Sequence, residues 1–456
     1  MEYKKNDVLR VTIEDMGENG EGIGKADGYT LFVKDAVIGD EAEVRILKAK
    51  KNYAYAKMER VIVPSPFRVE PKCPYHRPCG GCQLQALSYQ KQLEFKHNKV
   101  KNNLIRLGGL TVAKAEEVME APVGMEVPYF YRNKAQFPFG RDREGNAITG
   151  FYAGRTHSIV ANTDCALGVD ENKQILEKIL AHLKKNRISA YDETNHSGLL
   201  RHVLIRKGFA TGQLMVCLVI NGSEIPKSRE LVDSLREIPG MTSVSLSINR
   251  EKTNVIMGKE IRLLYGKEQI EDRIGGLSFA ISPLSFYQVN PVQTERIYLP
   301  ALEYAALTGT ETVWDLYCGI GTISLFLAGQ AKQVYGVEIV EQAIRDAREN
   351  ARRNGIDNVE FFVGKAEEVL PRQFEQEGIR ADVIVVDPPR KGCDEACLAT
   401  MVEMRPERIV YVSCDSATLG RDVSYLRKHG YEVRRVRIFD NFPQSVHVET
   451  VCLLSR

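Results

Sequence analysis

The regular alternation of short apolar runs and helical segments from about residue 308 onward constrains the fold most strongly. Runs such as "TVWDL", "QVYGVEI", "ADVIVV" and "RIVYVSC" are each followed by a longer stretch with helical periodicity. Strands that alternate with helices predict a doubly wound, mostly parallel sheet. The last two runs, "YEVRRVRIF" and "HVETVCLLS", have no helix between them, so we expect them to close the sheet as an antiparallel hairpin.

The chain is expected to form three domains, because 456 residues are too many for one ordinary core. Residues 1–63 contain short β-type runs separated by glycine and aspartate turns, which predict a small OB-like barrel. Residues 64–274 mix strands and helices and predict an α+β domain. Residues 275–456 form the expected α/β doubly wound domain, with a seven-stranded sheet. The helices expected in the middle domain lie near 84–107, 169–186 and 224–236.

A basic and aromatic segment lies in the expected barrel. Between residues 45 and 60, Tyr53 and Tyr55 are interleaved with six basic residues and a single acid, Glu59. Lysines for phosphates and aromatic rings for stacking are what a binder of single-stranded nucleic acid needs. A solvated barrel face with structural tyrosines has the same composition, so both interpretations stay open.

The composition excludes several classes of protein. A hydrophobic content of 43% and a charged content of 27% are typical of a soluble globular protein, and no apolar run approaches the roughly 20 residues that span a bilayer. The first residues lack the apolar core of a signal peptide, so we expect a cytoplasmic protein without a membrane partner. We also expect a monomer. A net charge of +2 gives no overall attraction to nucleic acid, so any RNA contact must come from local patches.

A glycine loop follows the first strand of the alternating region. The segment "WDLYCGIGTISLFLA" places Asp315, Gly319 and Gly321 between a strand and a helix, where glycines let the backbone approach a ligand. The second strand ends on Glu338, an acid that can accept hydrogen bonds from ribose hydroxyls. A dinucleotide-binding fold has the same outline, and a tight turn without a ligand is a further alternative. However, the loop reads D-x-Y-C-G-x-G-T and the fourth strand ends in "DPPRKG", and both resemble motifs of S-adenosylmethionine-dependent methyltransferases.

Cys414 directly follows an apolar strand, at the position where α/β enzymes display catalytic side chains. A buried structural cysteine is the alternative, because free cysteine is among the most buried residue types. The segment after Cys414 is expected to begin a helix, whose positive end would lower the pKa of the thiol. On a uracil, a thiolate would add to carbon 6 to make carbon 5 nucleophilic, and a base would then remove the carbon 5 proton. Glu449 in "HVET" is the candidate base, and Cys318 in the glycine loop is the rival cysteine.

Two segments, "VSCDSATLGRD" and "FPQSVHVETVCLL", resemble the signatures of the RNA 5-methyluridine methyltransferases, and "SFYQVN" and "DPPRKG" match motifs of that family. The resemblance covers essentially the whole chain, because the N-terminal module resembles the TRAM domain of the ribosomal RNA branch. It implies that Cys414 is the nucleophile and Glu449 the base. The residues that it implies around the methyl donor, S-adenosylmethionine, and the reacting base are Gln288, Tyr317, Glu338 and Asp387. Two residues depart from the family pattern: Ser416 stands where the family usually has proline, and Ser445 where it often has threonine. The segment "VGKAEEV" also lacks the aspartate with which many methyltransferases bind adenine.

Four cysteines form a candidate metal site. The loop "CPYHRPCGGC" contains Cys73, Cys79 and Cys82, and Cys165 in "NTDCAL" can supply a fourth thiolate. Four thiolates in a reducing compartment suit a structural zinc ion or an iron–sulfur cluster, and the residues alone leave both open. The resemblance implies a structural 4Fe-4S cluster, because ribosomal RNA members of the family hold one with this spacing.

The function that the resemblance implies is methylation of carbon 5 of uridine in 23S ribosomal RNA. Transfer RNA uridine and cytosine are alternative targets, although the catalytic cysteine of the cytosine enzymes typically follows proline in the fourth-strand motif, which here reads "DPPR". An RNA-binding assembly factor with a vestigial methyltransferase domain is an alternative of a different class. The intact glycine loop, Cys414 and Glu449 argue against it.

Overall fold

The N-terminal unit is a closed five-stranded barrel with the strand order β1-β2-β3-β5-β4. The computed structural model describes residues 3–456, so residues 1 and 2 of the expected barrel unit lie outside the described residues. Alternate side chains of the strands fill the barrel, among them Leu31, Val44 and Ile46, which are fully buried. The expected small barrel is confirmed. Its strands are β1 (Val8–Met16), β2 (Gly22–Ala26), β3 (Tyr29–Lys34), β4 (Glu41–Ala49) and β5 (Tyr53–Val63).

The middle of the chain forms a seven-stranded sheet with two helices packed against it. The strands are β6 (Lys134–Arg141), β7 (Ala147–Tyr152), β8 (Ile159–Ala161), β9 (Leu200–Lys207), β10 (Leu214–Ile220), β11 (Met241–Ile248) and β12 (Glu260–Gly266), in the order β12-β11-β10-β9-β6-β7-β8. Helices α3 (Glu171–Lys185) and α4 (Ser228–Arg236) bury apolar side chains such as Ile175 and Leu231 against this sheet. The expected α+β architecture is confirmed.

The C-terminal unit contains a second seven-stranded sheet, in the order β17-β16-β15-β18-β19-β21-β20. Its strands are β15 (Thr312–Leu316), β16 (Gln333–Glu338), β17 (Val359–Val363), β18 (Val383–Val386), β19 (Arg408–Ser413), β20 (Glu432–Phe439) and β21 (Glu449–Ser455). Strands β15 to β19 pair in parallel, and β21 runs antiparallel to both β19 and β20. The doubly wound sheet and its closing antiparallel hairpin are confirmed. The helices between the strands are α6 (Thr322–Ala328), α7 (Glu341–Arg353), α8 (Ala366–Glu377), α9 (Glu395–Met404) and α10 (Ser416–Lys428).

A short hairpin and a helix connect the two large sheets. The hairpin consists of β13 (Ile270–Ile274) and β14 (Leu277–Ile281), and α5 (Pro291–Ala305) follows it. The expected domain boundary between residues 274 and 275 falls in the turn of this hairpin.

Two helices from the first third of the chain pack on the C-terminal sheet. Helix α1 (Tyr89–Arg106) starts later than expected, because residues 84–88 form a turn. The side-chain amide of Gln92 donates hydrogen bonds to the carbonyls of Leu84 (3.0 Å) and Leu87 (2.8 Å) in this turn. Helix α2 (Val112–Val118) follows α1 and was not predicted from the sequence. Both helices bury apolar residues in one core with α9, α10 and the C-terminal sheet. No helix within residues 3–456 is long and apolar enough to cross a membrane.

Candidate active site

Four acidic or thiol side chains lie at one edge of the C-terminal sheet. Because β15, β16, β18 and β19 are parallel, their carboxyl ends meet at this edge. Asp315 is the penultimate residue of β15, and Glu338 ends β16. Asp387 follows β18 and Cys414 follows β19. The fold therefore brings three of the expected site residues to the same edge, together with Asp315.

Cys414 and Glu449 face each other across neighbouring strands. The antiparallel register of β19 and β21 ends at the pair Ser413 and Thr450, and its continuation places Cys414 opposite Glu449. The carboxyl of Glu449 is near enough to the Cys414 thiol to influence its pKa. Cys414 is half-buried, whereas Glu449 is 5% exposed. The expected nucleophile and base are therefore neighbours.

Burial raises the pKa of the Cys414 thiol to about 12, and the nearby Glu449 and Asp387 add to the rise. In the folded protein, burial therefore outweighs any lowering of this pKa by the start of α10. The helix begins as expected, with the Asp415 side chain accepting the backbone N–H groups of Ala417 (2.9 Å) and Thr418 (3.1 Å). Since Asp415 is itself negative, it offsets the positive helix end next to the thiol.

The loop between β20 and β21 supports Glu449 and Gln288. Burial raises the pKa of Glu449 well above its usual value, and Asp387 adds to the rise, whereas a hydrogen bond from the Asn441 side chain opposes it. The Asn441 amide also donates to Oε1 of Gln288 at 3.5 Å. Asp440, the residue before Asn441, pairs with Lys96 of α1 at 2.5 Å, and neither side chain is exposed. Sequence reasoning missed Asn441, although it directly precedes the segment "FPQSVHVET".

Acidic side chains cluster at the glycine loop, and we call this cluster of Asp315, Glu338 and Asp387 the acidic recess. The Gly319 N–H donates to Glu338 Oε2 at 3.3 Å. Oδ2 of Asp315 accepts from Ser324 Oγ at 2.5 Å, whereas Oδ1 is buried without a hydrogen-bond partner in the part of the chain that the structure describes. Burial raises the pKa of Asp315 and of Asp387 to about 7. A recess with a buried, unpartnered carboxylate oxygen fits a cationic ligand, and S-adenosylmethionine carries a sulfonium and an ammonium group.

Tyr317 contributes its backbone to this recess. Its φ of 68° lies in the left-handed region, which a residue with a side chain adopts only where the surrounding structure enforces it. Its phenol instead packs in the core beneath α9, where burial and the thiols of Cys397 and Cys393 raise its pKa. Cys318, the rival cysteine, is 5% exposed and lies against Gly336.

A group of cations that sequence reasoning did not identify surrounds His447. Burial lowers the pKa of His447 to about 4, and Arg390, Lys99, Lys96 and Arg132 add to the lowering. Arg390 also opposes the rise in pKa of both Cys414 and Glu449. Arg390 belongs to "DPPRKG" and His447 to "HVET", so both motifs were available as signals. Positive charge at this position favours a polyanionic substrate such as RNA.

The outer face of the barrel carries an aromatic group. Phe32, Tyr53 and Tyr55 form it, with ring centroids 5.6–5.8 Å apart. Tyr55 is 37% exposed. Several of the expected basic residues are paired with acids: Arg45 and Lys57 with Glu59, and Arg60 with Glu43. Lys48, Lys50 and Lys51 are exposed and make no salt bridge within residues 3–456.

The four cysteines of the candidate metal site lie near one another. Burial raises the pKa of Cys82 to about 12, and the thiols of Cys165, Cys79 and Cys73 add to the rise. The Gly81 N–H donates to Cys79 Sγ at 3.4 Å. Nevertheless, no group of three or more His, Cys, Asp or Glu side chains among the described residues is arranged to hold a metal ion. The expected cluster therefore stays a prediction.

Comparison with known proteins gives concordant results. The family model "tRNA (Uracil-5-)-methyltransferase" matches residues 88–456, and the TRAM domain model matches residues 3–58. An "Uncharacterized RNA methyltransferase" of Clostridium tetani is 49% identical over 99% of this chain and 97% of its own length. One from Halalkalibacterium halodurans is also 49% identical, over 99% of this chain and 97% of its own. The crystal structure of Pyrococcus abyssi tRNA (uracil-54, C5)-methyltransferase with S-adenosyl-L-homocysteine superposes with a TM-score of 0.77 at 28% identity, covering 98% of this chain and 99% of that one.

Proposed function

Because the chain belongs to the tRNA (uracil-5-)-methyltransferase family and carries a TRAM domain, we propose that it methylates carbon 5 of uridine in 23S ribosomal RNA. It is an RNA methyltransferase that uses S-adenosylmethionine. The observation that carries the proposal is the pair of Cys414 and Glu449, which face each other at the strand ends beside the acidic recess. In the proposed reaction the enzyme acts as a cytoplasmic monomer.

Cys414 is the proposed nucleophile, and Glu449 the proposed base. The thiol must first lose its proton, and Asp387, which influences the pKa of the thiol, is the proposed acceptor. Because the pKa of Asp387 is lower than that of the thiol, this transfer is uphill and is driven by addition of the thiolate to carbon 6. The thiolate adds to carbon 6 of the uracil, and carbon 5 then attacks the methyl group. S-adenosylmethionine supplies this electrophilic methyl group when it is bound. Glu449 removes the carbon 5 proton, and the thiolate leaves as the double bond re-forms.

The remaining site residues have proposed binding roles. Glu338 accepts a hydrogen bond from the Gly319 N–H of the glycine loop and is the proposed partner of the ribose of the methyl donor. Gln288 is held by Asn441 beside Glu449, where its amide can pair with the polar edge of the uracil. The backbone of Tyr317 shapes the recess. We assign RNA binding to residues 1–63 and methyl transfer to residues 275–456. Residues 64–274 form the unit that carries the cysteine loop. Helices α1 and α2 belong to this middle range, but they pack on the C-terminal sheet and support it.

Cys73, Cys79, Cys82 and Cys165 are the proposed ligands of a 4Fe-4S cluster. Their mutual electrostatic influence supports the proposal, as do the backbone N–H groups of Leu167 and Gly168 near Cys165, because such contacts stabilise cluster sulfurs. The same four thiolates could hold a zinc ion, and the resemblance to the ribosomal RNA branch favours the cluster. The cluster would be structural, because it supplies no step of methyl transfer.

The ribosomal target rests on the resemblance of the cysteine loop and TRAM module to the ribosomal RNA branch. Transfer RNA is the second candidate, because the structural neighbour with 28% identity acts on uracil 54 of tRNA. Mapping of 5-methyluridine in a strain that lacks this gene distinguishes the two. Loss of the modification from 23S RNA supports the proposal, whereas loss from transfer RNA alone replaces it with the second candidate.

A covalent-adduct assay tests the chemistry. Cys414→Ala should abolish methylation and adduct formation, because carbon 5 never becomes nucleophilic. Glu449→Gln should accumulate a methylated RNA–protein adduct, because methyl transfer precedes proton removal. After incubation with RNA and S-adenosylmethionine, a denaturing gel should show this adduct as a slow band. The same band from Cys414→Ala would exclude Cys414 as the nucleophile and make Cys318 the next residue to test.

A further inference from the structure

A cleft of about 340 Å³ lies between the barrel and helix α1. Its size falls within the range of about 300–1,000 Å³ that is typical of ligand sites. Half-buried apolar side chains of the barrel form one wall, among them Met16, Ile23 and Phe32. Helix α1 forms the other wall. The catalytic roles proposed above do not use this cleft.

One face of α1 is directed into the cleft. Lys91, Phe95, Asn98, Asn102 and Arg106 recur at intervals of three or four residues, so they share one side of the helix, and all five line the cleft. Asn98 and Asn102 are exposed, and neither side-chain amide makes a hydrogen bond within residues 3–456. Asparagine is a poorer helix former than alanine or lysine, so helix stability does not account for this pair. Two unpaired amides one turn apart beside an aromatic ring suit the edge and face of a nucleobase.

The charges of the cleft favour a neutral ligand. Its three basic residues, Lys91, Lys99 and Arg106, are matched by three acids that also line it, Asp15, Glu18 and Glu94. Lys91 pairs with Glu94 at 2.7 Å. A phosphate would meet as many negative as positive side chains here, whereas an uncharged base meets aromatic and amide groups. A base therefore fits the cleft better than a backbone phosphate does.

The cleft contacts the catalytic region on one side and the aromatic group of the barrel on the other. Asn103, which also lines it, donates from Nδ2 to Ser416 Oγ at 2.8 Å, two residues after Cys414. Lys99 Nζ donates to the carbonyl of Val446 at 3.3 Å, three residues before Glu449. On the other side, Phe32 belongs to the aromatic group on the outer face of the barrel.

We propose that this cleft binds one unpaired nucleobase of the RNA substrate, a few nucleotides from the target uridine, and so contributes to site selection. Phe32 and Phe95 offer faces for stacking, and Asn98 and Asn102 read the polar edge of the base. The inference rests on the proposed function, because it requires that the substrate is RNA.

A double-mutant cycle between protein and RNA tests the inference. The probe is an RNA fragment around the mapped uridine, in which each unpaired flanking nucleotide is replaced in turn by an abasic one. With the wild type, one replacement should lower kcat/KM about ten-fold, the order expected for one stacked base. The Asn98→Ala/Asn102→Ala variant should lose a similar factor on intact RNA and lose nothing more on that abasic RNA. Losses that multiply, or a variant as active as the wild type, would overturn the inference and leave the proposed function intact.

Two controls separate recognition from stability. The variant should unfold at the same temperature as the wild type or higher, because alanine is the better helix former. Gln376→Ala changes an exposed amide of helix α8 and should leave kcat/KM unchanged on every RNA. Failure of the wild type to methylate any RNA would overturn the proposed function, and the inference with it.

Discussion

Asp315→Asn should make protein stability less dependent on pH, because the fold keeps Asp315 buried at the floor of the acidic recess. The side chain is 0% exposed, and its pKa rises from 3.8 to about 7, chiefly through burial. The folded state therefore holds a proton that the unfolded state releases between about pH 4 and 7. Stability consequently falls as the pH rises through this window and becomes constant above it.

The magnitude follows from the pKa shift. Three pKa units correspond to about 4 kcal/mol across the whole window, and the part between pH 5.5 and 7 is about 2 kcal/mol. Asparagine removes this penalty and keeps an oxygen for the Ser324 hydroxyl. Its NH₂ group is a buried donor without a partner, which costs about 1–3 kcal/mol at every pH. Only the pH-dependent difference between variant and wild type therefore reports the ionisation of Asp315.

Urea unfolding of both proteins without ligand, from pH 5.5 to 8.5, measures this difference. The variant should gain about 2 kcal/mol relative to the wild type as the pH rises. It should also bind S-adenosylmethionine about 10- to 100-fold more weakly, the effect of losing one charge-assisted hydrogen bond. A stability difference that is constant across this range would refute the account of the recess.

Glu311→Gln is the matched control, because Glu311 lies next to the opposite end of β15. The backbone N–H of Thr308 donates to the Glu311 carboxylate and, with further N–H groups nearby, holds its pKa at about 2. The Glu311 carboxylate therefore contributes its full stabilisation above pH 4.5 and loses it only at lower pH. The control should be less stable than the wild type by the same amount from pH 5.5 to 8.5.

Three further predictions concern other parts of the molecule. Protein purified without oxygen should be brown, with iron and sulfide bound, and Cys79→Ser should lose the colour; one equivalent of zinc in a colourless protein would contradict the cluster assignment. Tyr53→Ala/Tyr55→Ala should weaken RNA binding by about 1–3 kcal/mol per lost base stack without changing S-adenosylmethionine affinity, and equal RNA affinity would show that the tyrosines are structural. Lys96→Met leaves Asp440 buried without its partner, so it should lower stability by about 3–5 kcal/mol in urea unfolding, and a much smaller loss would show that water reaches the pair.

The sequence predicts the C-terminal sheet well because both faces of a parallel sheet are covered, which makes its strands continuous apolar runs. The order of strands is harder to predict, because β21 inserts between β19 and β20 through pairing between segments distant along the chain. Helix α2 was missed because it has only seven residues and begins just after a glycine turn. The packing of α1 on the C-terminal sheet depends on long-range contacts that periodicity does not report.

The site is predictable where it depends on strand ends. Cys414, Asp387 and Glu338 each follow or end an apolar run, and parallel pairing brings such positions together. The position of the Tyr317 phenol under α9 and the raised pKa of Cys414 were not predicted. Both depend on which groups surround the side chain in the folded protein, and these groups come from distant parts of the sequence.

Release of the carbon 5 hydrogen tests the central claim most directly. RNA that carries tritium at carbon 5 of its uridines should release tritium to water as the enzyme transfers methyl groups, with one tritium released for each methyl incorporated. Glu449→Gln should incorporate methyl groups in the adduct while tritium release is strongly reduced. Methyl incorporation by the wild type without tritium release would place the methyl group on another atom and contradict the assignment of Cys414 and Glu449.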